Sequence, residues 1–291
     1  MTNDSNINTV KTFECIDPKI DVIFRALFTN EIECLKDLVN SVIHFPIDKE
    51  ITEIEVLDSH LLPNSIDDKL AIMDIKAKSR DGYQFNIEMQ VRNYPSYSER
   101  ALFYWSRFYT EQLKKEEPYT KLIPTISINI LNFKLFKDTN LYHHEFGILE
   151  KTRHIALTNH FEMHFLELPK VPKDHRLKLE SWLLFLKNPN ASYIDALIKE
   201  NPMIEKANSK LKELSEDESL RLISEARLKA NWDYISGMDY AKNEGRAEGK
   251  SEGKAEGKAE VILALVNSGL PKDKIAEFLK ISLDELQKII S

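Results

Sequence analysis

Residues 66–91 read Ile66-Asp-Asp-Lys-Leu-Ala-Ile-Met-Asp-Ile-Lys-Ala-Lys78, Ser79-Arg-Asp-Gly-Tyr83, then Gln84-Phe-Asn-Ile-Glu-Met-Gln-Val91. Both flanks alternate with period two, the pattern of a strand rather than a helix. In the first flank Ala71, Met73, Ile75 and Ala77 share one face, and Leu70, Ile72, Asp74, Lys76 and Lys78 share the other. In the second, Phe85, Ile87, Met89 and Val91 form the apolar face and Gln84, Asn86, Glu88 and Gln90 the polar one. A hairpin buries both apolar faces together in one register only, because a one-residue slip inverts every side chain. The loop Arg80-Asp81-Gly82, with Gly82 left-handed, is a common solution. It pairs Ser79 with Tyr83 and sets Asp74 opposite Glu88, about 5 Å apart at the β-carbons, with Gln90 one step along.

Like charges facing each other across a sheet destabilise it, so the pair needs a reason. One reason is a divalent cation, since hard ions such as Mg²⁺ are held by one or two carboxylates plus water and phosphate. The other is a solvated polar face on which the pairing is accidental. The surroundings favour the metal.

At 291 residues the chain holds one large domain or two small ones. With 30% charged and 42% hydrophobic residues it has an ordinary globular composition. The net charge of −7 means that a nucleic-acid partner has to be met at a local patch. The first residues, Met-Thr-Asn-Asp-Ser-Asn, carry no apolar core of a signal peptide, and no apolar run approaches membrane-spanning length. Cys15 and Cys34 give neither metal spacing nor a disulfide framework. A cytoplasmic protein with no membrane partner is expected.

Asp17-Pro18 has the form of a helix start, Asp as cap and Pro in the first position. Ile20, Ile23, Phe24, Leu27 and Phe28 make its buried stripe. Asn30 is placed to cap a second helix, with stripe Ile32, Leu35, Leu38, Val39, Val42 and Ile43, ended by Pro46. Asp21 either turns a third carboxylate toward the hairpin or provides favourable charge near a helix N-terminus. Residues 51–58 read as a strand flanking the hairpin. Ser96-Tyr-Ser-Glu99 has the form of a capping box opening a helix to about Lys115, closed by Pro118. Arg100 and Arg107 share a face of that helix, where a guanidinium can clamp a phosphate bidentately. Arg107 reads better as a surface ion pair. Residues 121–136 form an almost continuously apolar strand, expected inside the sheet.

The order helix, three strands, helix, strand with an Asp…Glu-x-Gln hairpin resembles the PD-(D/E)XK nuclease superfamily. The blocks Asp21-Val-Ile-Phe-Arg-Ala-Leu-Phe28, Asp68-Lys-Leu-Ala-Ile-Met-Asp74, Asn86-Ile-Glu-Met-Gln90, Arg100 with Tyr104, and Tyr119…Pro124-Thr-Ile-Ser-Ile-Asn-Ile130 are similar to its recombination-promoting nuclease, or transposase, branch. The resemblance covers residues 15–135 closely. It implies an α/β (α+β) fold with a restriction-endonuclease-like αβββαβ core, a mixed sheet flanked by helices, and a helical C-terminal extension. It also implies a DNA endonuclease that uses Mg²⁺ or Mn²⁺, held by Asp74 and Glu88 with Asp21 as a further candidate. Arg100 is then the residue for the substrate phosphate. Gln90 stands where the superfamily has lysine; it lacks the charge for a developing oxyanion but can orient a water. Lys76, on the face of Asp74 and opposite Asn86, is placed to supply that charge, unless it is simply a solvated strand lysine. The competing reading is a catalytically degenerate member that binds DNA or protein.

His160 and His164 are four apart, but strand geometry puts them too far apart for one ion, so they read as ordinary edge-strand residues. The expected divisions are a nuclease-like domain at 15–170, a helical extension at 171–244, a linker at 245–260 and a small helix-turn-helix-like module at 261–291. The linker consists of Gly-Arg/Lys-Ala/Ser-Glu repeats; each glycine costs a helix roughly 1 kcal/mol against alanine. A glycine stripe also allows another helix to approach closely, which leaves room for a homo-oligomer through the C-terminal helices. In the terminal module Asp284 and Glu285 would meet phosphate with the wrong sign.

Overall fold

The computed structural model describes residues 14–43, 45, 50–57, 60–61, 71–72, 74–174 and 177–290. Pro46, Asp68, Leu70, Met73 and the amino-terminal residues quoted above lie outside the described residues. The chain divides into two compact units, Met1–Arg227 and Leu228–Ser291.

In the first unit, helices α1 (Asp21–Asn30) and α2 (Ile32–Val42) precede β1 (Ile54–Leu57). A short ribbon follows, β2 (His60–Leu61) with β3 (Ala71–Ile72), and then the hairpin β4 (Ile75–Ser79) and β5 (Gln84–Gln90). Helix α3 (Tyr97–Thr110) crosses over to β6 (Thr125–Leu131). β7 (His143–Gly147), β8 (Phe161–Glu167) and helices α4 (Lys178–Lys187), α5 (Ile194–Glu200) and α6 (Pro202–Glu216) complete the unit. The sheet order is β1-β4-β5-β6-β8-β7, with β5, β6 and β8 parallel and the remaining pairs antiparallel. The protein is therefore a mixed α/β fold, an open six-stranded sheet flanked by helices.

The hairpin has the register that its alternation demands: Ile75 faces Ile87, Lys76 faces Asn86 and Ala77 faces Phe85. Gly82 is left-handed at φ +88°, and Ser79 and Tyr83 close the turn through a 2.8 Å N–H to carbonyl bond. Ile75, Ala77, Phe85, Ile87 and Met89 consequently share one core with Ile126, Ile128 and Ile130 of β6. Phe24 and Phe28 of α1 and Trp182 and Phe185 of α4 close over them.

Several local expectations are corrected. α1 begins at Asp21 rather than at Pro18, because the Asp17 carboxylate accepts from the Lys19 N–H (2.9 Å) in a turn of its own. Asn30 ends α1, donating to the Ala26 carbonyl, and does not cap α2, whose N-cap is Glu31. Ser96 sits in the left-handed region at φ 60° and makes no side-chain cap, so the capping box does not form, and α3 stops at Thr110. The helices expected after residue 171 do form, and they share the core of the sheet. α4 is buried nearly all round, and a helix apolar on every side has to lie inside a core.

Residues 245–260 are helical, within α7 (Glu218–Asn267), rather than a linker without structure. Alanine, glutamate, lysine and arginine are strong helix formers and offset the glycines. In the second unit the end of α7 packs with α8 (Lys272–Leu279) and α9 (Leu283–Ile290) around Ile262, Ile275, Ala276 and Leu286. Gly269, at φ +82°, ends α7, and the Ser282 hydroxyl accepts from the Glu285 N–H (3.1 Å) at the start of α9.

β8 lies inside the sheet and β7 at its edge, so the edge-strand reading fails for His164, which is 1% exposed. His164 bonds His143 through Nδ1 (2.9 Å) and Glu162 through Nε2 (2.6 Å), whereas His160 pairs with the Tyr109 hydroxyl (2.9 Å). Among the described residues no helix is long and apolar enough to cross a membrane.

Candidate active site

The face of the sheet opposite the apolar core is polar in sequence and is nevertheless buried. Gln84, Asn86 and Glu88 of β5 and Thr125, Ser127 and Asn129 of β6 are all covered. α3 lies on this side, contributing Tyr97, Ala101 and Phe108, while Met163 and Phe165 of β8 extend the apolar part. A solvated polar face is thus excluded as the explanation of the carboxylate pair.

Asp74 precedes β4 by one residue and continues its register toward Glu88. Its Oδ2 accepts the Met89 N–H at 2.6 Å, which ties the carboxylate to the strand that carries Glu88. Burial pushes the Asp74 carboxyl up to about 7; the Met89 N–H opposes this, the Asp21 charge adds to it, and Arg100 and Arg25 pull it down. Burial raises Glu88 well above the ordinary carboxylate range, and the Asp74 charge raises it further. Arg100, the Asn86 amide and the Asp74 N–H act in the opposite direction. Near neutral pH the two groups therefore resist full ionisation together, and a proton or a cation relieves them. Glu88 Oε1 is buried with no hydrogen-bond partner among the described residues.

Arg100 belongs to the same locus. Its Nε donates to the Tyr104 hydroxyl (3.1 Å), and its guanidinium lies 5.1 Å from the Tyr104 ring and 5.7 Å from the Tyr94 ring. Tyr97, one turn earlier on α3, donates its hydroxyl to Asn129 Oδ1 (3.1 Å). Burial raises the Tyr97 phenol well above its usual value, with the Glu88 charge adding to the effect. Tyr97 is therefore a neutral hydrogen-bonding wall of the site.

The structure brings Asp74, Glu88 and Arg100 together, keeps Gln90 on the Glu88 face of β5, and turns Asp21 and Lys76 to other partners. Asp21 lies at the start of α1, exposed and 3.5 Å from the Arg227 guanidinium, though its charge reaches Asp74. Lys76 is 5% exposed rather than solvated, and its ammonium pairs with Glu111 (2.9 Å) over the Phe108 ring. Gln90, half-buried, donates its amide to the Arg92 carbonyl (3.0 Å). Sequence reasoning passed over Tyr97, Asn129 and Arg25. Asn129 carried a signal, a lone amide inside an isoleucine strand; Arg25 and Tyr97 carried none, since helix-to-sheet docking decides their place.

A helix, a carboxylate-bearing hairpin, a crossover helix and a central parallel strand define the class of PD-(D/E)XK nuclease folds. The chain matches the family of PD-(D/E)XK nuclease family transposases over residues 18–241, and it belongs to that family. No curated protein and no solved structure matches it.

PD-(D/E)XK nucleases generally use divalent metal ions. Among the described residues no group of three or more histidines, cysteines, aspartates or glutamates forms a cluster able to hold a metal. The residues present still fit a hard, largely hydrated cation. Two carboxylates suffice for Mg²⁺, and here they repel each other beside an unpartnered buried oxygen.

Proposed function

We propose that this chain is a metal-dependent DNA endonuclease that hydrolyses phosphodiester bonds at the locus of Asp74 and Glu88. The observation that carries the reading is the buried, mutually repelling carboxylate pair on a face otherwise sealed by α3. Asp74 and Glu88 would hold Mg²⁺ or Mn²⁺. When bound, the ion supplies Lewis-acid polarisation of the phosphate and a lowered pKa for water. The Met89 N–H and the Asn86 amide keep the two carboxylates oriented. Arg100, held by Tyr94 and Tyr104, presents its guanidinium to a phosphate oxygen. Gln90 holds the attacking water through its carboxamide, whereas Lys76 stays with Glu111 and serves the fold. Asp21 adjusts the field at Asp74 and is not a necessary ligand.

DNA is the proposed substrate. In a chain of net charge −7, Arg25 and Arg100 bring positive charge to the region of Asp74. The glycines Gly245, Gly249, Gly253 and Gly257 have open space where a β-carbon would stand, so no contact among the described residues requires them. Close approach of a second copy along α7 is the assembly that would use them.

The degenerate-member reading draws support from the uncharged Gln90 and the commitment of Lys76 to Glu111. One assay separates the two: supercoiled plasmid incubated with the full-length protein, with Mg²⁺ or with chelator. Nicking that needs Mg²⁺ and is lost in Asp74→Ala supports the enzyme. No Mg²⁺-dependent nicking by the wild type supports the binding module.

A further inference from the structure

Among the described residues two buried oxygens on the polar face of β5 lack a hydrogen-bond partner, Glu88 Oε1 and Asn86 Oδ1. Asn86 is 1% exposed and Glu88 6%. A buried acceptor left unpaired costs about 1–3 kcal/mol, and two of them, two residues apart on one strand face, call for a common cause. The Asn86 amide stands on the same strand face as the Glu88 carboxylate and lowers its pKa. Its carbonyl is the atom left over. The neighbouring donor in register, Lys76, is turned to Glu111. Ser127, beside Asn86 in β6, accepts from Asn129. Both orphan atoms are acceptors, so whatever belongs between them brings hydrogen-bond donors or positive charge. An anion does not fit.

We propose that Asn86 is a positioning residue of the cation site: its amide orients Glu88, and its carbonyl receives a water of the ion's hydration shell. The inference rests on Asp74 and Glu88 being that site. Mg²⁺ gives up its waters reluctantly and keeps several of them when bound to protein. Acceptors just beyond the carboxylates therefore decide how the hydrated ion sits, and removing such partners typically costs 10–100-fold in metal affinity. Asparagine supplies an acceptor here without adding a third negative charge to a pair that already resists ionisation.

The test is calorimetric titration of Mn²⁺ into the full-length protein, together with thermal unfolding in chelator. Wild type is expected to bind and Asp74→Ala not to bind. Asn86→Leu is expected to bind about 10-fold or more weakly, while its melting temperature in chelator holds or rises because the unpaired acceptor is gone. Asn86→Ala, which removes amide and carbonyl together with less change of shape, is expected to weaken binding to the same extent. Wild-type affinity in Asn86→Leu overturns the role of Asn86 and leaves the carboxylate site standing. An absence of Mn²⁺ binding by the wild type overturns the site and this inference with it. If Asn86→Leu does not fold, Asn86→Ala decides, and wild-type affinity in it overturns the proposal.

Discussion

The two faces of β5 are equally buried and opposite in chemistry. One carries Phe85, Ile87 and Met89 into the core of α1, α2 and α4; the other carries Gln84, Asn86 and Glu88 under α3. The first face gains stability from every side chain, because apolar area leaves water at about 25 cal/mol per Å². The second face satisfies part of its polarity internally: Gln84 bonds the Phe108 carbonyl and Thr125, and Asn129 bonds Ser127 and the His164 carbonyl. It then leaves Asn86 Oδ1 and Glu88 Oε1 open and sets Glu88 against Asp74. Burial without satisfaction, next to burial that is complete, marks the part of the sheet where the proposed chemistry would lie.

The largest expected effect tests the apolar side. Trp182 is fully buried against Phe28 and Phe185, with its indole N–H on Asp37 (2.8 Å). Trp182→Ala should cost about 3–5 kcal/mol in urea unfolding, whereas an unchanged midpoint would place α4 outside the core. On the polar side the sign should reverse. Glu88→Gln removes one of two repelling charges, so plasmid nicking should fall by about 10²-fold or more while stability in chelator at pH 8 rises. A loss of stability together with activity would make Glu88 a structural residue.

The same contrast has a pH signature. Asp74 is raised to about 7 in the fold, so the native chain keeps a proton that the unfolded chain has lost. Stability without metal should therefore be fully present at the ordinary aspartate pKa and below, and should decline as pH rises toward about 7. Asp74→Asn should flatten that decline, which denaturant midpoints measured from pH 4 to 8 can check. Gln90→Leu should slow nicking by about 10²-fold with little change in stability, since it deletes one hydrogen-bonding group at the rim. Wild-type rates would make Gln90 a bystander and reassign the water to another group. The smallest effect is expected from ending the chain before Gly245, inside the second unit. The midpoint of the sheet unit should then shift by less than about 0.5 kcal/mol; a larger loss would tie the tail to the core.

The hairpin was legible because its information is local. Period-two alternation and Gly82 permit one register, and that register alone sets Asp74 toward Glu88. The buried β6 was legible for a similar reason, a run too apolar to face water. The capping expectations at Asp17, Asn30 and Ser96 failed because side-chain caps compete with turns whose outcome depends on neighbouring packing. The tail misled differently, since the glycine repeats argued against a helix that their alanine, lysine and glutamate neighbours sustain.

From the sequence alone came the pairing within the hairpin, the αβββαβ order and the placing of Asp74 toward Glu88, all set by residues close together in the chain. Only the tertiary structure decided that the polar face of β5 is roofed by α3 and that Lys76 turns to Glu111, thirty-five residues away. It also decided that α4 to α6 close the core with Phe24 and Phe28. Those outcomes depend on which helix docks on which sheet face, a choice made by long-range packing that no local period records. Desolvation follows from that docking, and it turns an ordinary pair of acidic side chains into one that resists its own charge.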